Sequence, residues 1–255
     1  MESEMKKTEK VNYLFKSYID KINTDLGSYN PTIVTYGSIV NNNLNSDFDV
    51  CIILNNYNTN IIETISNLTI EFHIDHNLKL DNEVPFSIKT IYSFEDIETV
   101  INTPPFKIVD NKYLLNGIKK TSDYLSSKEI KLRLLFNILT TPTKVIQGDS
   151  NKFNKLKNRA FDKLLLIELS YLNNSFTTID TLINALNKNY FGNEIGKDYL
   201  GYCIEKDYIY DYLFSNISTR INKLIIDNKL LKINNELYKL DDNILYSSKE
   251  RTLYG

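Results

Sequence analysis

The feature that most constrains this chain is the stretch 32–54, where two apolar strand patterns flank a Gly-Ser pair and two closely spaced aspartates. Gly37 and Ser38 end the first pattern, and Asp47 and Asp49 open the second. Alternate side chains of a strand share one face, so the two carboxylates point the same way, about 7 Å apart. Two anions this close repel each other unless a cation lies between them. Mg²⁺ suits this position, because it accepts carboxylate oxygens together with nucleotide phosphates.

Gly37 and Ser38 suit the phosphate side of such a site. A glycine lets the backbone approach a phosphate closely, because it has no Cβ. A serine at this position can cap a short helix whose free N–H groups face the anion. We therefore predict that both residues bind the nucleotide.

The ordered pattern resembles the signature of the DNA polymerase β-like nucleotidyltransferase superfamily. Residues 34–38, Val-Thr-Tyr-Gly-Ser, match its first half, and residues 46–50, Ser-Asp-Phe-Asp-Val, match its second half. The loop between Ser38 and Asp47 is slightly shorter than in many relatives and is rich in Asn. The resemblance implies an α+β fold, in which a mixed sheet with flanking helices is followed by a helical-bundle domain.

The resemblance also implies three catalytic carboxylates that hold two Mg²⁺ ions. Asp47 and Asp49 are two of them, and the third lies on a neighbouring strand. Glu83 opens the run Glu-Val-Pro-Phe-Ser-Ile, which is similar to the corresponding strand of streptomycin-type adenylyltransferases. Glu83 is therefore the predicted third metal ligand and general base, although a solvated acid at a strand end is the plainer interpretation. The alternatives are Glu71, Asp75 and Asp81.

Hydrophobic periodicity divides the chain into a catalytic domain, 1–116, and a helical domain, 117–255, that completes the substrate cleft. In the first domain the pattern predicts helices over 8–26, 60–72 and 93–101, strands over 32–36, 48–54 and 83–91, and a hairpin over 108–115. Asn60 with Glu63, and Ser93 with Asp96, have the spacing of helix N-terminal caps. In the second domain it predicts helices over 128–139, 154–172, 179–190, 199–208 and 209–231.

Composition restricts location and partners. The 255 residues, 42% of them apolar, are sufficient for packed cores, and the net charge of −2 creates no strong field toward nucleic acid or membrane. No secretory signal opens the chain, and no apolar run approaches the roughly 18 residues that span a bilayer. We therefore expect a cytoplasmic protein with access to ATP and no membrane partner.

The expected reaction transfers a nucleoside monophosphate, AMP from ATP in the first instance, to a hydroxyl group. The favoured acceptor is a small molecule such as an aminoglycoside-type antibiotic. The alternatives are a non-templated terminal transferase acting on RNA or tRNA, a toxin-type transferase that modifies RNA or protein, and an inactive transferase fold kept as a binding module.

Several further residues are candidates for binding. Lys144 lies where relatives often contact the nucleotide. The basic cluster is predicted either to hold phosphates or to form a solvated helix face; it comprises Lys152, Lys155, Lys157, Arg159 and Lys163. His73 and His76 have the spacing of a metal pair, but without a third ligand a surface helix is the favoured interpretation.

Overall fold

A computed structural model describes residues 2–41, 48–80, 85–104, 107–109, 112–114, 127–170, 177–186, 206–234 and 236–239. The chain divides into two compact units. Unit 1 comprises Met1–Val100 with Leu125–Lys157, and unit 2 comprises Ile101–Tyr124 with Asn158–Gly255. Leu125–Lys157 thus belong to the first unit, whereas the sequence suggested a single change of domain at residue 116. The assignment of catalytic and helical roles to domains stays a prediction.

Within the described residues, the strands form one four-stranded sheet and two hairpins. They are β1 (Thr32–Tyr36), β2 (Val50–Leu54), β3 (Ile91–Ser93), β4 (Lys107–Val109), β5 (Lys112–Leu114), β6 (Thr143–Gln147), β7 (Leu230–Ile233) and β8 (Glu236–Lys239). The large sheet has the order β3-β2-β1-β6 and lies in unit 1. Its β1–β2 and β1–β6 pairs are antiparallel and its β2–β3 pair is parallel, so the sheet is mixed.

Helices account for most of the remaining described residues. They are α1 (Glu2–Leu26), α2 (Thr59–Asp75), α3 (Phe86–Lys89), α4 (Phe94–Asn102), α5 (Ser127–Thr140), α6 (Ser150–Ser170), α7 (Ile179–Leu186) and α8 (Lys206–Ile226). Short 3₁₀ turns follow α1 at Gly27–Tyr29 and β1 at Gly37–Asn41. The protein is therefore of the α+β class with a mixed sheet, as the sequence predicted. None of the described helices is long and apolar enough to cross a bilayer.

Unit 1 has an aromatic core in which α1 and α2 pack with the sheet. Tyr18, Phe48 and Phe72 are buried, and their ring centroids lie 5.0–5.3 Å apart. The Tyr18 hydroxyl lies 2.9 Å from the Thr69 hydroxyl, which satisfies its polar end inside the core. Phe48 and Val50 belong to the same buried cluster as the inward residues of α1. One face of β2 therefore points toward α1 and α2.

Two local cap signals had different outcomes. Ser93 and Asp96 form the expected reciprocal cap of α4, because Ser93 N donates to Asp96 Oδ2 over 2.8 Å and Asp96 N donates to Ser93 Oγ over 2.9 Å. The cap predicted at Asn60 is wrong. Asn58 caps α2 instead, accepting from Ile61 N over 3.0 Å, so the helix begins earlier than its first apolar residues suggest.

The strand predicted over 83–91 is wrong for its middle part. Residues 86–89 form the short helix α3, and β3 begins at Ile91. Pro85 lies immediately before α3, where its fixed φ of −55° suits a helix entry. In so short a run, the apolar residues fit both the period of a strand and that of a helix. Their alternation therefore led to the wrong prediction.

The second half is not wholly helical, contrary to the expectation. Residues 143–147 form β6, and β7 with β8 form an antiparallel hairpin. The helices predicted over 199–208 and 209–231 correspond, within the described residues, to the single helix α8. The hairpin predicted over 108–115 is confirmed by the antiparallel pairing of β4 with β5.

Within unit 2, Arg220 joins α8 to α6. Its Nε lies 2.5 Å from Asp162 Oδ1, and its Nη2 donates to Asn158 Oδ1 over 3.0 Å. The guanidinium carbon also lies 4.6 Å from the centre of the Phe161 ring. A planar, multidentate cation of this kind links two helices through several contacts at once.

Candidate functional site

The turn after β1 brings two of the predicted site residues together. Gly37 has φ of +71°, a conformation that glycine adopts without steric cost. A Cβ at Gly37 would lie 3.2 Å from Asp49 Cγ and still closer to Asp49 Oδ2. The Asp49 carboxylate therefore occupies the space that any other residue at position 37 would fill. Glycine is needed here because of this close approach as well as the positive φ.

Strand register sets the direction of Asp49. Thr35 is paired with Val50, and Tyr36 N donates to Asp49 O over 3.2 Å, so Tyr36 and Asp49 are cross-strand neighbours. Because Val50 belongs to the core with α1, the half-buried Asp49 side chain emerges on the opposite face of the sheet. Thr143 of β6 is the partner of Tyr36 on its other side. Asp49, Tyr36 and Thr143 thus form a row across three strands on one face, called the Asp49 row below.

The remaining carboxylates of the predicted triad, Asp47 and Glu83, lie outside the described residues. Their roles stay predictions. Ser38 follows Gly37 in the 3₁₀ turn, and its binding to the nucleotide stays a prediction. No group of three His, Cys, Asp or Glu side chains with metal-ligand spacing occurs in the part of the chain that the structure describes.

Lys144 does not join the Asp49 row. It is the partner of Thr35 in the sheet, one residue along from Thr143, and so lies on the face that carries Val50. Its Nζ lies 4.9 Å from the centre of the Phe15 ring in α1. The structure therefore does not bring Lys144 to Asp49.

Two alternative third acids lie on the surface of α2. Glu71 and Asp75 both pair with Lys21 of α1, at 3.2 and 3.0 Å, and their side chains are 59% and 61% exposed. Exposed pairs of this kind contribute little to stability and leave the carboxylates in solvent. The third alternative, Asp81, lies outside the described residues.

The two histidines are packing residues, and the surface-helix interpretation is wrong for His73. His73 is buried, its Nδ1 lies 2.7 Å from Thr69 O, and its ring lies 5.0 Å from that of Phe86. His76 Nε2 lies 3.0 Å from Ser17 Oγ, and its ring centroid lies 4.4 Å from that of Phe72. These contacts account for both side chains without a metal.

The position of Lys157 was not predicted from the sequence. Its Nζ donates to the Thr141 carbonyl and, over 2.7 Å, to Thr143 Oγ1 at the end of the Asp49 row. Burial lowers the pKa of Lys157 to about 7, and nearby Cys51 acts in the opposite direction. Burial also raises the pKa of the Cys51 thiol. An available signal was the apolar stripe of α6, since Phe153 and Ala160 flank Lys157 at helical spacing and both are buried.

Most of the rest of the basic cluster is exposed. Lys152, Lys155 and Arg159 are exposed, and Lys163 is partly buried. Lys152 Nζ also lies 3.4 Å from the centre of the Phe94 ring, in direct contact with an aromatic face. Phosphate binding by these residues stays a prediction.

Gly37→Ala should destabilise unit 1 and disturb Asp49. The new Cβ meets the carboxylate and the backbone keeps an unfavourable positive φ, so we expect a loss of about 1–3 kcal/mol in the free energy of unfolding. Urea unfolding of the variant measures it. Gly27→Ala is the matched control, since a Cβ there meets only Asn23 Cβ, at 3.9 Å. Equal stability of the two variants would contradict the geometry of this turn.

The lowered pKa of Lys157 predicts a pH-dependent stability. Between about pH 7 and the ordinary lysine value of 10.5, the amine is neutral in the folded chain and protonated in the unfolded chain. The unfolded state then binds more protons, so the contribution of Lys157 to the free energy of unfolding increases as pH rises through this window. Urea unfolding at pH 7, 8 and 9 should show this increase relative to Lys157→Met. The exposed-site variant Lys155→Met should follow the wild type, and a Lys157→Met profile parallel to the wild type refutes the prediction.

Comparisons with protein-family models, with curated proteins and with solved structures find no match to this chain.

Proposed function

We propose that this protein is a Mg²⁺-dependent nucleotidyltransferase of the DNA polymerase β-like kind. The observation that carries the proposal is the packing of the Gly37 turn against the Asp49 carboxylate at the start of β2. A phosphate-binding turn and a metal-binding acid need this proximity, because the ion must contact both the carboxylate and the nucleotide phosphates. The mixed sheet that holds them is compatible with this fold.

The donor set fits the ion. Asp49 offers hard carboxylate oxygens that lie directly against the Gly37 turn. Asp47 and Glu83 would complete the ligand set. Bound Mg²⁺ supplies charge neutralisation and Lewis acidity in such a site.

Each residue has a distinct part in the proposed reaction. Gly37 and Ser38 would hold the β- and γ-phosphates, and Asp47 with Asp49 would hold the Mg²⁺ that neutralises the phosphate charge. Glu83 would accept the proton of the acceptor hydroxyl. The acceptor oxygen then bonds to the α-phosphorus as the bond to the bridging oxygen of the β-phosphate breaks, and pyrophosphate leaves.

The favoured acceptor is a hydroxyl of a small molecule such as an aminoglycoside-type antibiotic, with ATP as donor. The net charge of −2 supports this choice over RNA, because it creates no strong field toward a polyanion. Lys152, Lys155 and Arg159 are exposed, so RNA is the acceptor that the test must distinguish. Binding of an RNA backbone depends on accessible cations that track the phosphates. RNA, tRNA and protein acceptors remain the competing outcomes of the test.

The proposed function is tested by incubating the protein with Mg²⁺ and each α-labelled nucleoside triphosphate against an aminoglycoside panel, tRNA, oligo(A) and the protein itself. Transfer of label to an aminoglycoside supports the full proposal. Transfer to RNA or protein keeps the reaction but replaces the acceptor. Nucleotide binding without transfer to any acceptor would favour a binding module, and absence of nucleotide binding would refute the proposal.

A further inference from the structure

The side-chain amine of Lys157 joins the end of one helix to the start of a strand. Thr141 follows the last residue of α5, and its N–H donates to Asn137 O over 2.9 Å. The Thr141 carbonyl is thus at the helix C-terminus, where backbone carbonyls accept hydrogen bonds from outside the helix. Lys157 Nζ donates to this carbonyl and to the hydroxyl of Thr143, the first residue of β6.

The residue between these two contacts is Pro142, which is buried and has no N–H to donate to a neighbouring strand. The chain therefore passes from α5 into β6 through a position that cannot contribute a donor. Lys157 supplies donors to the residues on both sides of that position. Because the contacts of Lys157 fall on either side of Pro142, loss of the Lys157 side chain would release both ends of the α5–β6 connection together.

The start of β6 is also the end of the Asp49 row. Thr143 is paired with Tyr36, which immediately precedes Gly37 and receives Asp49 as its neighbour on the other strand. Neighbouring strands are about 4.8 Å apart, and Thr143 lies two strand spacings from Asp49. Any displacement of Thr143 therefore occurs close to Asp49, with Tyr36 on the strand between them. The Gly37 turn has little room to adjust, because Asp49 already fills the space beside it.

We propose that Lys157 is a positioning residue of the candidate site: it clamps the α5–β6 connection and so holds Tyr36 and the Gly37 turn in place beside Asp49. The link to turnover depends on the proposed function, whereas the clamp itself does not. Lys157 acts here through Thr141 and Thr143.

Amide hydrogen exchange tests the clamp without any assay of activity. In Lys157→Met, the amides of 143–147 and of 36–41 should exchange about 10- to 100-fold faster, as expected for loss of two partly buried hydrogen bonds. Amides of α2, in the same unit, should change much less. Lys155→Met, on an exposed position of the same helix, should match the wild type throughout.

Two further variants keep the test decisive if Lys157→Met does not fold. Thr143→Val removes one acceptor of Lys157 and keeps a β-branched strand residue, so it should accelerate exchange in the same two segments by a smaller factor. Lys157→Arg keeps side-chain N–H donors at this position and should restore part of the protection. Exchange in 36–41 that is unchanged in both Lys157→Met and Thr143→Val would overturn the proposal.

Kinetics then separate the clamp from the proposed function. If the wild type transfers nucleotide, Lys157→Met should lower kcat by more than tenfold with a smaller change in KM, and Lys157→Arg should recover activity. Equal kcat values for Lys157→Met and Lys155→Met would overturn the positioning role. If the wild type transfers nothing while the exchange pattern appears as expected, the clamp stands and the proposed function fails.

Discussion

Asp49→Asn should reduce nucleotide transfer by about 10³-fold or more. The substitution keeps the size of the side chain and removes the negative charge that would bind Mg²⁺ beside the Gly37 turn. Asp49 is half-buried at the start of β2, so the fold should persist and the melting temperature should stay close to that of the wild type. Transfer of α-labelled nucleotide at saturating Mg²⁺, combined with thermal unfolding, measures both quantities.

Asp75→Asn is the matched control for this experiment. Asp75 is an acid of the same unit, 61% exposed and paired with Lys21 on the surface. Its substitution should leave transfer unchanged for two reasons. Exposed ion pairs contribute about 0–1 kcal/mol to stability, and Asp75 lies on α2, which packs on the face of the sheet opposite to the Asp49 side chain. Wild-type turnover in Asp49→Asn would remove Asp49 from the reaction and, with it, the proposed function.

Phe72→Ala should cause the largest loss of stability, about 3–5 kcal/mol in the free energy of unfolding. Phe72 is 1% exposed, and its ring contacts those of Phe48 and Tyr18 at centroid distances of 5.0 Å. Truncation therefore leaves a cavity between α1, α2 and the start of β2. Urea unfolding monitored by circular dichroism measures the change in the transition midpoint.

Ile74→Ala provides the comparison within the same helix. Ile74 is apolar but 63% exposed, so its truncation should change the free energy of unfolding by less than about 0.5 kcal/mol. Similar losses in the two variants would mean that Phe72 is not part of the core described here.

Local signals were sufficient for several elements. The bounds of β1 follow from its apolar run between Pro31 and Gly37, and the cap of α4 follows from the spacing of Ser93 and Asp96. The position of Gly37 at the end of β1 follows in the same way from the apolar run that it ends. These features depend on residues that are close in the sequence.

Other features depend on partners that are far apart along the chain. Thr35 and Lys144 are 109 residues apart, yet their strands are paired, and no local pattern identifies β6 as the neighbour of β1. The same pairing decides that Lys144 faces α1 and that Thr143 shares the face of Asp49. Lys157 looked like one of several exposed lysines until α6 was placed against Thr141 and Thr143.

The sequence by itself determined the α+β class, the main helices and the two central strands with the glycine that follows the first of them. It did so because these features depend on side-chain periodicity and on the backbone conformations that neighbouring residues allow. Only the tertiary structure decided which strand completes the sheet, which face each side chain takes and which lysine becomes buried. A shift of one residue in strand register reverses every face, and burial depends on the packed neighbours that the whole fold supplies.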